Sequence, residues 1–159
     1  MVTQLEYALQ GIITDEMREV ACKESRDPEY ICQMVKEGKI VIVKNYVRKT
    51  GAVGIGKGLT TKVNASIGTS SDIVDIELEV RKARAAEESG ADSLMELSVG
   101  GDIDAIRRKI INSINIPVGN VPLYQAFCEA MRRYHDSNKL DENLLFDTIE
   151  KQCADGISF

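Results

Sequence analysis

The 159-residue sequence holds one histidine, no tryptophan and three prolines, and only 5% of it is aromatic. With His135 alone, and no CxxC pair among Cys22, Cys32, Cys128 and Cys153, a structural zinc site cannot be assembled. No apolar run approaches the roughly 18 residues of a membrane span. Basic runs stop at the triplet Arg107-Arg108-Lys109 and the net charge is −5, which gives nucleic acid or an anionic membrane no electrostatic grip. The opening MVTQLEYALQGIIT has neither a basic segment nor an unbroken apolar stretch, so no secretory signal is readable. These absences point to a cytoplasmic protein with reduced, mostly buried thiols.

What is present suits an ordinary globular core: 43% hydrophobic and 28% charged residues. Thr3 and Glu6 have capping-box spacing. Thr14-Asp15-Glu16 opens a second helix and Asp27-Pro28 a third, which Gly38 stops. Ile40 to Val43 reads as a short β-branched strand, and the glycine-rich stretch from Arg48 to Gly58 as irregular chain. From there the rhythm changes. Strands are predicted over 61–67, 92–100 and 116–122, and Gly156-Ile157-Ser158-Phe159 opens a fourth. Between them lie helices predicted to start at Ser71, with Ile73, Ile76, Val80 and Ala83 inward, at Asp102, and after Pro122, where Leu123, Ala126, Phe127, Ala130 and Met131 carry the pattern. A further helix carries Leu144, Leu145, Ile149 and Cys153.

Alternating strands and helices are the signature of parallel βαβ units. A complete (β/α)8 barrel takes about 250 residues. The expectation is therefore α/β: residues 1–58 a small helical and extended N-terminal region, residues 59–159 the first three to four βα units of a truncated barrel. Such an open half-barrel would leave strand edges and side chains such as Leu97 unpartnered, and would self-associate.

Several stretches invite chemistry. Gly51-x4-Gly56-Lys57 begins like a phosphate loop, but Gly58 replaces the required hydroxyl and a strand follows where a helix must. It reads as a turn. In TTKVNASIGTSS, Lys62, Asn64 and Ser66 share one strand face, and Thr69, Ser70 and Ser71 follow at a helix start. Spacing leaves two readings open, a costly cap or the mouth of a binding site. Lys62 could form a Schiff base, although an ion-paired lysine is the simpler reading. Met95 shares a face with Ser93 and Leu97, and Tyr124 falls just past the third strand. His135 lies in a polar turn, seven residues past Cys128, a spacing that makes no nucleophile pair.

Three ordered segments, TTKVNASIGTSS, GADSLMELSVGGD and IPVGNVPLYQA, together with the opening TQLEYALQGIITDEM, closely resemble the phosphomethylpyrimidine synthase family, whose wording is NANIG, MDLSTGG and VPIYQA. The resemblance spans essentially the whole chain. It implies a (β/α)8-barrel radical S-adenosylmethionine enzyme, typically a homodimer, with a [4Fe-4S] cluster, S-adenosylmethionine and a metal ion. The implied substrate is 5-aminoimidazole ribotide, rearranged to the pyrimidine phosphate of thiamin. A close paralogue, 5-hydroxybenzimidazole synthase, makes the cobamide lower ligand from the same ribotide. Family substrate contacts carry over to Ser66, Met95 and Tyr124, and Asn64 joins them on its strand face. Ser66 replaces an asparagine, and Glu96 and Val99 replace aspartate and threonine, changes that the motif places at the site. The family's cluster cysteines and metal-binding histidines belong to a later part of its sequence and have no counterpart here. The expectation is an N-terminal fragment, inactive alone. A phospho-ligand-binding βα domain without catalysis is the other reading.

Overall fold

The structure, a computed structural model, describes residues 2–159 and divides into two compact units, one running through Lys44 and adding Thr50–Lys62, the other Asn45–Lys49 with Val63–Phe159.

In the first unit, α1 (Gln4–Leu9) starts on the full capping box. Glu6 N–H donates to Thr3 Oγ1 at 3.2 Å, and Thr3 N–H to the Glu6 carboxylate at 2.7 Å. Thr14 caps α2 (Asp15–Glu24) and Pro28 occupies the first turn of α3 (Pro28–Lys36). Their apolar faces bury Met17, Val20, Ala21, Ile31 and Val35 against β1 (Ile40–Val43). The glycine-rich stretch is not irregular throughout: Val53–Gly56 forms β2, antiparallel to β1 with Val43 opposite Val53. Pairing with a neighbouring strand outweighs the low strand propensity of VGIG.

The second unit is a run of βα steps. It comprises β3 (Asn64–Ile67), α4 (Ile76–Glu88), β4 (Ser93–Glu96), α5 (Ile103–Ile111), β5 (Val118–Asn120), α6 (Pro122–Tyr134), a 3-10 turn (Ser137–Lys139) and α7 (Glu142–Asp155). The three strands lie parallel in the order β3-β4-β5. The fold is thus mixed α/β with two small open sheets, and no closed barrel occurs among the described residues. One face of the parallel sheet carries Leu94 and Val118, fully buried against Ala83, Ile106 and Ile110, with Ala65 and Ile67 at its margin. Burying an aliphatic side chain of this kind contributes about 1.5–3 kcal/mol.

Three expectations are corrected here. Ser71 does not cap α4. The Ser70 hydroxyl is taken by a tight turn, accepting from Asp72 and Ile73 N–H, so the cap falls to Asp75, which accepts Leu78 N–H at 2.9 Å. Ile73 is consequently outside the helix and exposed. Residues 157–159 are not a ladder strand, although Ser158 N–H donates to Val118 O and Asn120 N–H to Phe159 O. The thiols are not mostly buried either: Cys22 and Cys153 are exposed, Cys128 is half-buried and only Cys32 is buried.

Buried polar groups fasten the second unit. Arg107, fully enclosed, pairs with Asp104 and Asp155 at 2.6 Å each and donates to Gln125, joining α5, α6 and α7. Arg48 donates to the carbonyls of Ile111, the last residue of α5, and of Ile114 and Ile116 in the loop that follows.

Candidate functional site

Residues paired across parallel strands share a face of the sheet. Asn64 lies opposite Ser93, Ser66 opposite Met95, and Met95 opposite Gly119. These five make up the face turned away from the α4–α5 core. Asn64 and Ser66 are exposed and Met95 is half-buried. Ser93, itself buried, donates its hydroxyl to Asn64 Oδ1 at 2.9 Å, which orients the amide and leaves its NH2 as the donor. Ser93 carried no functional weight in the sequence. The signal was there: a hydroxyl at the same strand position as Asn64, one βα unit later.

Tyr124 stands in the first turn of α6, four residues past the end of β5, with its side chain exposed. Because the strands are parallel, the C-terminal ends of β3, β4 and β5 form one edge. The register brings Ser66 and Met95 side by side, and the chain path puts Tyr124 at the same edge. Lys62 is not part of the strand. It precedes β3 and, within the first unit, pairs with Glu24 at 2.7 Å while donating to Thr60. That engagement is the ion-paired reading of this lysine.

The hydroxyl-rich loop after β3 also resolves into separate jobs. Thr69 is buried, its N–H donating to Ser98 Oγ at 3.1 Å and its hydroxyl to Gly100 O at 2.7 Å. Gly68 N–H donates to the buried Glu79 carboxylate at 2.8 Å. The loop after β3 is therefore clamped to the loop after β4, immediately beyond Ser66 and Met95. Glu96 belongs to this clamp, accepting Ser98 N–H at 2.8 Å. Burial raises its pKa, and the bonds from Ser98 and the field of Arg107 oppose that rise. By strand alternation Glu96 faces the core with Leu94, not the open face with Met95. The expectation that its replacement of aspartate alters the site directly is corrected: it sits behind the rim. Val99 is exposed in the following loop, its carbonyl accepting from Cys128 Sγ.

A cavity of about 490 Å³ opens elsewhere in this unit, lined by Val99, Asp102, Asp104, Gln125, Cys128 and Arg132 among others. None of Asn64, Ser66, Met95 or Tyr124 lines it. Charged side chains on its walls are already paired, Asp104 with Arg107 and Lys151 and Arg132 with Glu129. Burial raises the Cys128 thiol's pKa, so no thiolate is prepared there.

Among the described residues no three His, Cys, Asp or Glu side chains come together as a set that could hold a metal ion. Cys32 belongs to the apolar core of the first unit. The described residues do not fit an iron–sulfur cluster or a bound metal. No described helix is long and apolar enough to cross a membrane.

A parallel βαβ sheet with a polar open face and a polar rim at its C-terminal edge is the arrangement of α/β enzymes that bind small molecules at strand ends. The chain belongs to the Radical SAM ThiC family, whose model matches residues 3–159. It is 68% identical to the 5-hydroxybenzimidazole synthase of Geobacter sulfurreducens, over all of this chain and 37% of that protein. It is also 54% identical to phosphomethylpyrimidine synthase 1 of Methanothermobacter thermautotrophicus, over 99% of this chain and 37% of that protein. The chain thus spans little more than a third of the length of these relatives.

Proposed function

We propose that the chain forms one wall of the ribotide site of a radical S-adenosylmethionine synthase acting on 5-aminoimidazole ribotide, with Asn64, Ser66, Met95 and Tyr124 as its contacts. The observation that carries this is the register that sets Ser66 beside Met95 on the open face, in a chain of this family. Asn64 and Ser66 offer hydrogen bonds to ribose or phosphate oxygens, Met95 a polarisable surface, and Tyr124 a phenol at the rim. In this reading the three-stranded sheet is the opening of a (β/α)8 barrel, residues 1–58 are its N-terminal region, and 59–159 are its first βα units. The whole synthase is a homodimer that supplies the cluster, S-adenosylmethionine and a metal ion from sequence outside the matched segment. The 159 residues alone are inactive.

Of the two products, 5-hydroxybenzimidazole is the better supported. Four relatives so named are 56–68% identical, and four named phosphomethylpyrimidine synthase are 51–54% identical. The thiamin pyrimidine is the second reading. The test has two arms. Titrating 5-aminoimidazole ribotide into the labelled chain should shift the amide resonances of Ser66 and Met95. Grafting the chain in place of the matched segment of the Geobacter synthase should yield 5-hydroxybenzimidazole from the ribotide, and not the pyrimidine. Shifts confined to the Val99–Arg132 cavity, or an inactive graft beside an active parent, would overturn the assignment.

A further inference from the structure

Gly119 completes the row Ser66–Met95–Gly119 on the open face, and its missing side chain has a use. A Cβ placed there would lie 2.4 Å from Phe159 Cε2 and 2.7 Å from Cδ2 and Cζ, closer than carbon atoms approach. The Phe159 ring thus fills the space a side chain on β5 would take. The segment is held to that strand by Ser158 N–H to Val118 O at 2.7 Å and Asn120 N–H to Phe159 O at 3.2 Å. The ring is still 42% exposed. Across the sheet this face therefore changes character: an amide and a hydroxyl on β3, a thioether on β4, an aromatic ring beside β5.

We propose that Phe159 is a substrate-binding residue that stacks on the imidazole ring of the ribotide, while the ribose and phosphate lie over Asn64 and Ser66. The inference rests on the ribotide reading above and orients the ligand within it. A planar heteroaromatic ring gains from an aromatic face and from a neighbouring sulfur, neither of which the amide and hydroxyl of β3 offer. The sugar phosphate has the opposite needs. Gly119 is the residue that permits this, because any larger side chain would drive the ring off the row.

The test is calorimetric binding of two probes to the chain, 5-aminoimidazole ribotide and ribose 5-phosphate, with thermal melts of each variant as a folding control. Phe159→Leu should weaken the ribotide about tenfold, the usual scale of one aromatic stack, and leave ribose 5-phosphate unchanged. Phe159→Tyr should retain wild-type affinity for both. Gly119→Ala, which displaces the ring without removing it, should reproduce the selective loss. Equal loss of both probes in Phe159→Leu, or no loss of the ribotide, would overturn the proposal while leaving the ribotide site standing. Failure of the wild-type chain to bind the ribotide would remove both.

Discussion

Arg107 and Asp155 meet at 2.6 Å with the guanidinium wholly enclosed, tying α5 to the last turn of α7. A second carboxylate, Asp104, reaches the same nitrogen at 2.6 Å, and Gln125 accepts from Nη1. Three helices outside the parallel sheet are thereby held by one cation. Arg107→Ala leaves two carboxylates facing an empty space, and breaking a buried pair from one side costs about 3–5 kcal/mol. Urea unfolding should show that loss, and Arg107→Lys should recover only part of it, because a single ammonium cannot reproduce the fork.

Asp104 carries the acid sensitivity of this knot. Burial alone would raise its pKa, but hydrogen bonds from Lys151, Gln125 and Arg107 hold it down, from 3.8 to about 2. A depressed carboxylate stabilises the fold above its unfolded pKa and loses that contribution as pH falls through its folded one. The loss therefore lies between about pH 4 and pH 2. Screening at this partly exposed cluster limits it to about 1 kcal/mol. Asp104→Asn should flatten that part of the stability profile and lower stability at neutral pH.

Glu96 has the opposite sign. Burial raises its pKa above 4.5, so folding favours the protonated acid. Its contribution is fully present below the unfolded pKa and is lost as pH rises through the folded one. Glu96→Gln keeps an acceptor for Ser98 N–H and removes the buried charge. Its unfolding midpoint should exceed that of wild type at pH 7.5, with the difference closing toward pH 4. A lower midpoint at pH 7.5 would show that the carboxylate's charge is needed by the clamp.

Gly68 adopts φ +149°, and a Cβ there would sit 2.6 Å from Leu97 C and Ser98 N, both backbone atoms. Neither can move aside without breaking the clamp between the two rim loops. Gly68→Ala should destabilise the chain by about 2 kcal/mol or more and disturb the Thr69 and Ser98 amide resonances together.

Local chemistry was legible without coordinates. Thr3 with Glu6, Thr14, Pro28 and Asp102 mark helix starts because a cap is decided within three or four residues. The same locality misled at Ser71, where a hydroxyl one residue earlier was already engaged in a turn and the helix waited for Asp75. Strand alternation, applied to SLME, already turns Glu96 to the other face of the sheet from Met95; the motif's wording hid it by treating neighbours in sequence as neighbours in the site.

By itself the chain's order of residues determined the βα rhythm, the family and the candidates Asn64, Ser66, Met95 and Tyr124, because periodicity and motif are written along one dimension. Tertiary structure alone decided that Ser66 stands next to Met95, that Ser93 orients Asn64, and that Phe159 occupies the space over Gly119. Those relations join residues 29 or more positions apart. They depend on register and on which side chain fills a gap, and neither is settled until the strands have paired.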